Sequence, residues 1–282
     1  MKRVSGMDGM HVKPESSNRK LTIDNSACNV LPDIGLDLGS RRVKLAFRTA
    51  ETGELKLYKY DTLTFYREFA VRSREGFCIN FEKLGLGPVG KIVVTGYGRN
   101  NLELQGAQVV TEITAHAVGA SVQSGLDNFI CLDLGGQDSK IIRVEKGAVT
   151  DFQTNDKCAA GSGRYLESMA AILGVELSEL GKYWENPVRL SSTCAIFGES
   201  EMIGRIVEGY PWEELCAGIN RSVYVRIRPW LLAYKPEVIV FTGGVAKNQA
   251  IVRMISEHQE VRVIVPEHPE YNGAIGCLHV NL

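Results

Sequence analysis

The sequence predicts an α/β fold made of two duplicated βββαβα halves with a cleft between them. Three observations carry that prediction: identities recurring at one fixed offset, the same strand pattern opening each copy, and a Gly/Ala-rich helix closing each. Ile34-Gly35-Leu36-Asp37-Leu38-Gly39-Ser40-Arg41-Arg42-Val43-Lys44-Leu45 matches Ile130-Cys131-Leu132-Asp133-Leu134-Gly135-Gly136-Gln137-Asp138-Ser139-Lys140-Ile141 at Ile, Leu, Asp, Leu, Gly and Lys. Ile92-Val93-Val94-Thr95-Gly96, with Gly98 and Asn100 beyond it, matches Ile239-Val240-Phe241-Thr242-Gly243-Gly244 with Asn248 beyond.

Each element follows from its local pattern. Residues 1 to about 30 are polar and lack a sustained period, so they are read as a disordered or extended tail. An apolar strand then turns at glycine into a second strand, Val43–Arg48 or Lys140–Val144. A third follows near Leu55–Tyr60 or Ala148–Gln153, completing an antiparallel meander. Later apolar runs read as buried parallel strands, each trailed by a helix. Thr114–Val122 and Tyr271–His279 are the Gly/Ala-rich helices. The halves are set at 31–122 and 123–270, with 271–282 as a hinge helix.

Composition narrows the function classes. The chain has 282 residues, 44% of them apolar and 23% charged, with a net charge of -1. That balance gives no footprint for nucleic acid or an anionic membrane surface. No apolar run reaches the roughly 18 residues of a membrane span, and no apolar signal core opens the chain, so a cytoplasmic protein is expected. Seven cysteines are scattered rather than patterned as a disulfide framework. Cys131 and Cys277 read as small buried hydrophobes, whereas Cys28, Cys78 and Cys216 lack metal-ligand spacing.

Strand-Asp-x-Gly-turn-strand has a physical use. The glycine permits a tight turn whose backbone N–H groups approach phosphate closely. An aspartate at the strand end can hold Mg²⁺. One such hairpin is also a plain turn signal, but two from duplicated halves can grip one triphosphate from both sides.

The layout resembles the superfamily of acetate and sugar kinases, heat-shock chaperone ATPases and actin, which implies a ribonuclease H-like, actin-like ATPase fold with an interdomain nucleotide cleft. Asp37-Leu38-Gly39-Ser40 with Lys44 is similar to its first phosphate motif, and Asp133-Leu134-Gly135-Gly136-Gln137 to its second. Thr242-Gly243-Gly244-Val245-Ala246-Lys247-Asn248 is similar to its adenosine motif. The resemblance implies that Asp37 and Asp133 organise Mg²⁺ and the attacking water, and that Gly39, Ser40, Gly135 and Gly136 cradle phosphates. Gly243, Gly244, Val245 and Asn248 would then line the nucleoside side. Glu112 and Gln137 are both candidates to orient the water; their plain readings are a residue at a helix start and a turn residue.

Two cysteines stand apart. Cys158, in Thr154-Asn155-Asp156-Lys157-Cys158-Ala159-Ala160-Gly161-Ser162-Gly163-Arg164, lies just ahead of a helical pattern at Leu166, Met169, Ala170 and Leu173. Asn155 and Asp156 are its expected N-cap residues. Cys194, in Ser191-Ser192-Thr193-Cys194-Ala195-Ile196-Phe197, precedes the pattern Phe197, Met202, Ile203, Ile206 and Val207. A helix start favours thiolates and an anionic cluster. Read singly, each is an ordinary buried thiol.

With these motifs the chain resembles the activator ATPases of 2-hydroxyacyl-CoA dehydratases, together with benzoyl-CoA reductase ATPase subunits and reductases of double-cubane cluster proteins. That resemblance implies a 4Fe–4S cluster on the two-fold axis of a homodimer, held by Cys158 and Cys194 of each subunit. It also implies ATP and Mg²⁺ as cofactors, ferredoxin or flavodoxin as electron source, a metalloenzyme as electron acceptor, and an anaerobic setting. A four-iron cluster takes four thiolates and one chain offers this pair, so a symmetric dimer supplies the remainder. The rivals are an amino-sugar type kinase of the same fold and a nucleotide-switched module without catalysis; both leave the cysteine pair unexplained.

Overall fold

Two five-stranded sheets of identical order form the centre of the molecule. The computed structural model describes residues 31–49, 52–73, 76–97, 107–155, 162–191 and 195–280. The tail, Gly98, Asn100, Cys158 and Cys194 lie outside the described residues.

The first half runs β1 (Ile34–Leu38), β2 (Arg42–Arg48), β3 (Leu55–Asp61), α1 (Thr62–Phe69), a small hairpin of β4 (Ala70–Ser73) and β5 (Gly76–Ile79), β6 (Ile92–Thr95), β7 (Ala107–Val109) and α2 (Glu112–Ser124). The second runs β8 (Phe129–Leu134), β9 (Ser139–Glu145), β10 (Ala148–Asn155), α3 (Gly163–Leu173), α4 (Leu177–Leu180), α5 (Ala195–Val207), α6 (Trp212–Tyr234), β11 (Val238–Thr242), α7 (Gln249–Gln259), β12 (Arg262–Ile264) and α8 (Asn272–His279). The sheet orders are β3-β2-β1-β6-β7 and β10-β9-β8-β11-β12. In each, the first three strands form the antiparallel meander and the last two join in parallel. β1 and β8 are buried along their whole length, as the central strand of a covered sheet must be.

The duplicated halves are thus present, with two differences from the sequence expectation. The first half carries the extra β4–β5 hairpin after α1. The N-cap of α3 is Ser162, not Asn155 or Asp156. β10 runs on through Asn155, pairing it with Ser139, so the helix starts later.

The Gly/Ala-rich helices change sides. Ala117 and Ala120 of α2 pack on Phe129, Cys131 and Val240 of the second sheet. Ala274 and Ile275 of α8 pack on Ala46 of the first. The two helices meet backbone to backbone. A Cβ at Gly276 would collide with the Ala115 carbonyl, one at Gly119 with the Asn272 carbonyl, and one at Gly35 with the Ala274 carbonyl. Glycine in a helix costs entropy, so its use here reflects the closeness of the crossing.

This sets a sign test. Gly→Ala in an open helix stabilises by roughly 0.5–1 kcal/mol, and Gly204 of α5, which has nothing within 4 Å of a built Cβ, is expected to behave so. Gly276→Ala should instead destabilise by about 1–3 kcal/mol through overpacking. Urea unfolding of both variants checks this; equal stability gains at the two positions would contradict the close crossing.

Candidate functional site

The site is assembled from two matching hairpins. In β1–β2, Asp37 lies directly opposite Lys44; in β8–β9, Asp133 lies directly opposite Lys140. Directly opposed residues in an antiparallel pair share one face, so the sequence spacing alone creates both Asp–Lys pairs. Lys44 Nζ stands 3.0 Å from Asp37 Oδ2, and Lys140 Nζ 3.9 Å from Asp133 Oδ2. The first turn needs glycine, since a Cβ on Gly39 would lie 2.7 Å from the Arg42 carbonyl oxygen; one on Gly135 would make a tight 3.2 Å contact with that of Asp138. Ser40 is exposed, and Gly136 and Gln137 are half-buried in the second turn.

The crossing helices bring in more polar groups. Glu112, in the first turn of α2 behind its N-cap Thr111, places Oε2 2.9 Å from Lys140 Nζ. Asp138 adds a third carboxylate at 3.0 Å. His116 of α2 sets Nδ1 3.2 Å from Asp133 Oδ1, and the Thr242 hydroxyl donates to that same oxygen at 2.8 Å. The Asn272 amide donates to the His116 carbonyl at 2.9 Å and accepts from Gln123 at 2.9 Å.

Electrostatics follow from this packing. Burial alone would raise the Asp133 pKa, but the charge and hydrogen bond of His116, then Lys140 and the Thr242 hydroxyl, outweigh it. The carboxyl is held well below the usual carboxylate range. Lys140 is pulled the other way: burial opposes its charge, yet Asp133, Asp138 and Glu112 together raise its pKa. For Lys44, burial is likewise outweighed by the Asp37 carboxylate, and the pKa is raised. Both hairpins therefore present a buried carboxylate opposite a lysine, Lys140 buried and Lys44 half-buried.

The adenosine-motif segment repeats the geometry of the first half. Gly243 leaves β11 at φ +85 against the Leu134 backbone, as Gly96 leaves β6 at φ +95 against that of Leu38. Gly244 borders open space, whereas Val245 and Ala246 are buried in a short 3-10 turn. The Asn248 side chain points inward: its oxygen caps α7 through Ile251 N at 3.0 Å, and its amide donates to Asn220 at 2.8 Å.

Cys158 and Cys194 lie outside the described residues, and the helices that follow them lie within. α5 begins at Ala195, directly after Cys194. Gly198 of α5 abuts Met169 and Tyr165 of α3; a built Cβ there would lie 3.2 Å from Met169 Cε. The start of α3 is in turn bound to the glycine turn of the second half. Gly163 N and Arg164 N donate to the Gly135 and Gly136 carbonyls at 2.9 Å each, and the Ser162 hydroxyl donates to Gly136 at 2.9 Å. Ser162 makes no side-chain cap bond of its own.

Sequence reasoning singled out Asp37, Lys44, Asp133 and Glu112, which converge here, but passed over Lys140, His116, Thr242 and Asn272. Lys140 was visible as the repeat of Lys44. His116 was visible as the lone ionisable side chain within the small-residue stretch Thr114–Val122.

Comparison with known proteins places this site in context. Residues 34–279 match the model of the BadF/BadG/BcrA/BcrD ATPase family. The chain belongs to that family. It is 42% identical to the (R)-2-hydroxyglutaryl-CoA dehydratase activating ATPase of Acidaminococcus fermentans over 192 residues, 66% of this chain and 72% of that one. It is 33% identical to the Methanocaldococcus jannaschii protein MJ0004 over 249 residues, 88% of this chain and 99% of that one. Among solved structures, the activator of the 2-hydroxyisocaproyl-CoA dehydratase from Clostridium difficile with bound ADPNP superposes with a TM-score of 0.73 at 32% identity. That match covers 88% of this chain and 93% of the activator. The fold is that of the actin-like ATPases.

The depressed Asp133 pKa fixes a pH dependence. A carboxylate with a lower pKa folded than unfolded stabilises the fold above the unfolded value of about 3.9, and loses that contribution as pH falls through the folded value. The stability gap between wild type and Asp133→Asn is therefore expected to shrink as pH falls below about 4. Chemical unfolding at each pH checks it; a gap that widens below about pH 4 would contradict the arrangement.

Proposed function

We propose that this ATPase is an ATP-dependent one-electron donor that acts as a homodimer on a partner metalloenzyme. The observation that carries the proposal is the connection from the second phosphate turn to the segments after both cysteines. Gly135 and Gly136 are hydrogen-bonded to the start of α3, and α3 packs on α5 at Gly198. A nucleotide gripped by that turn cannot shift it without moving the residues that follow Cys158 and Cys194.

The residues fit the implied cofactors. Gly39 leaves its turn no room for a side chain, Gly244 borders open space, and Lys44 and the buried Lys140 supply positive charge. Asp37 and Asp133, with Glu112 beside Lys140, are hard oxygen donors of the type Mg²⁺ takes. Glu112 and Gln137 remain the groups proposed to orient the hydrolytic water. Gly243 and Val245 shape the nucleoside side, and the buried Asn248 secures that loop from behind.

Cys158 and Cys194 are the proposed ligands of a 4Fe–4S cluster shared by two subunits, which would supply the one-electron carrier. Each precedes a helix, Cys194 directly, and the positive end of a helix dipole favours an anionic cluster. Ferredoxin or flavodoxin is the proposed electron source. The acceptor is proposed to be a CoA-substrate dehydratase or reductase, because the relatives named above are dehydratase activators.

Iron analysis tests the cluster and hydrolysis tests the turns. Cys158→Ala or Cys194→Ala should each yield a folded chain that binds ATP but loses its iron after anaerobic preparation, since symmetry removes two ligands at once. Asp37→Asn and Asp133→Asn should keep iron and lower ATP turnover about a hundredfold or more. Iron near wild type in both cysteine variants would remove the cluster assignment, and unchanged turnover in both Asn variants would remove the phosphate-turn assignment.

A further inference from the structure

Among the described residues, Arg41 is the long side chain of the first phosphate turn that forms an ion pair with the second half. It follows Ser40, and its Cβ lies 3.0 Å from where a Cβ on Gly136 would stand, so the two turns touch through it. Its guanidinium extends beyond them to α3, where Nη2 stands 3.4 Å from Glu167 Oε2. Nη1 stands 3.9 Å from Asp61 Oδ2. Asp61 is already engaged more closely by Arg42 at 3.3 Å and by the amides of Leu63 and Thr64, which it caps.

Arg41 is thus poorly served where it stands. A good guanidinium–carboxylate contact is about 2.7–2.9 Å long, and often paired; both of these are longer and single. Its Nε is shut off from solvent and, among the described residues, has no acceptor. A buried donor without a partner in a native protein calls for an explanation. A planar, permanently charged fork beside two glycine turns matches the geometry of a phosphate group.

We infer that Arg41 is a nucleotide-phosphate ligand that exchanges Glu167 of α3 for the phosphates when nucleotide enters the cleft. Arg41 then reports occupancy of the first turn to α3, while the Gly135 and Gly136 carbonyls report that of the second. The two signals converge within one helical turn on the segment that follows Cys158. This inference rests on the nucleotide reading above. It does not depend on the cluster.

The exchange makes a signed prediction. Arg41→Ala removes a charge-assisted phosphate contact and should weaken binding of a non-hydrolysable ATP analogue roughly tenfold or more. Glu167→Gln removes the competitor for Arg41 and should tighten binding about two- to fivefold, the scale of an exposed ion pair. In the Arg41→Ala background, Glu167→Gln should change nothing, because no guanidinium is left to compete for. Both side chains are about 40% exposed, so the variants should fold.

Titration calorimetry of the full-length chain with the analogue and Mg²⁺ gives all four affinities. Wild-type-like binding by Arg41→Ala would overturn the role of Arg41 and leave the nucleotide site standing. An equal gain from Glu167→Gln with and without Arg41 would overturn the exchange, since that is what simple removal of a nearby negative charge does. Absence of analogue binding by the wild type would overturn the nucleotide reading together with this inference.

Discussion

The site depends on how closely α2 and α8 cross. Each helix closes one half and lies on the sheet of the other, so their contact is the joint between the halves. Gly119 and Gly276 let the backbones meet where any side chain would collide. At that separation, His116 and Glu112 of α2 reach the hairpin of the second sheet, while Asn272 of α8 holds His116 by its carbonyl. A wider crossing would withdraw these groups from Asp133 and Lys140 and leave buried charges short of partners, a loss of several kcal/mol.

The two copies keep two devices and differ in a third. Both retain the Asp–Lys cross-strand pair and the positive-φ glycine packed on the opposite strand. They part at the hinge. Aligning Val118-Gly119-Ala120 with Ile275-Gly276-Cys277 puts His116 opposite Gly273. A Cβ at Gly273 would lie 3.1 Å from Asp37 Oδ2 and 3.2 Å from His116 Nε2. The ring from one copy therefore occupies the space that the other copy leaves by having no side chain. Asp133 gains a histidine and a threonine hydroxyl, whereas the equivalent Thr95 donates to the Val110 carbonyl instead. The second carboxylate is thus the more tightly held of the two.

Much of this was legible in the sequence because duplication writes the same physical demand twice. Asp, Gly and Lys recur at spacings that a strand-turn-strand converts directly into opposed pairs, so Asp37–Lys44 and Asp133–Lys140 needed no tertiary information. The side-switching of α2 and α8 was not legible. Small residues announce a close approach but not which sheet a helix covers. The late start of α3 was missed because Asn155 looks like a cap, while pairing with Ser139 keeps it in β10. Ser162, the actual cap, gives its hydroxyl to the Gly136 carbonyl instead of its own helix. Asn248 was read as facing the nucleoside side, but helix capping and Asn220 turn its side chain inward.

Coupling between the nucleotide cleft and the cysteine segments is tested most directly by a redox titration of the anaerobically prepared protein. The potential of the proposed cluster is measured once with ADP and once with a non-hydrolysable ATP analogue. If the bonds from Gly135 and Gly136 to the start of α3 transmit cleft geometry, the midpoint should move between the two nucleotides. A shift of about 59 mV for one electron corresponds to roughly 1.4 kcal/mol of coupling, and allosteric couplings are typically about 1–3 kcal/mol. Superimposed titration curves, with both nucleotides shown to be bound, would contradict it.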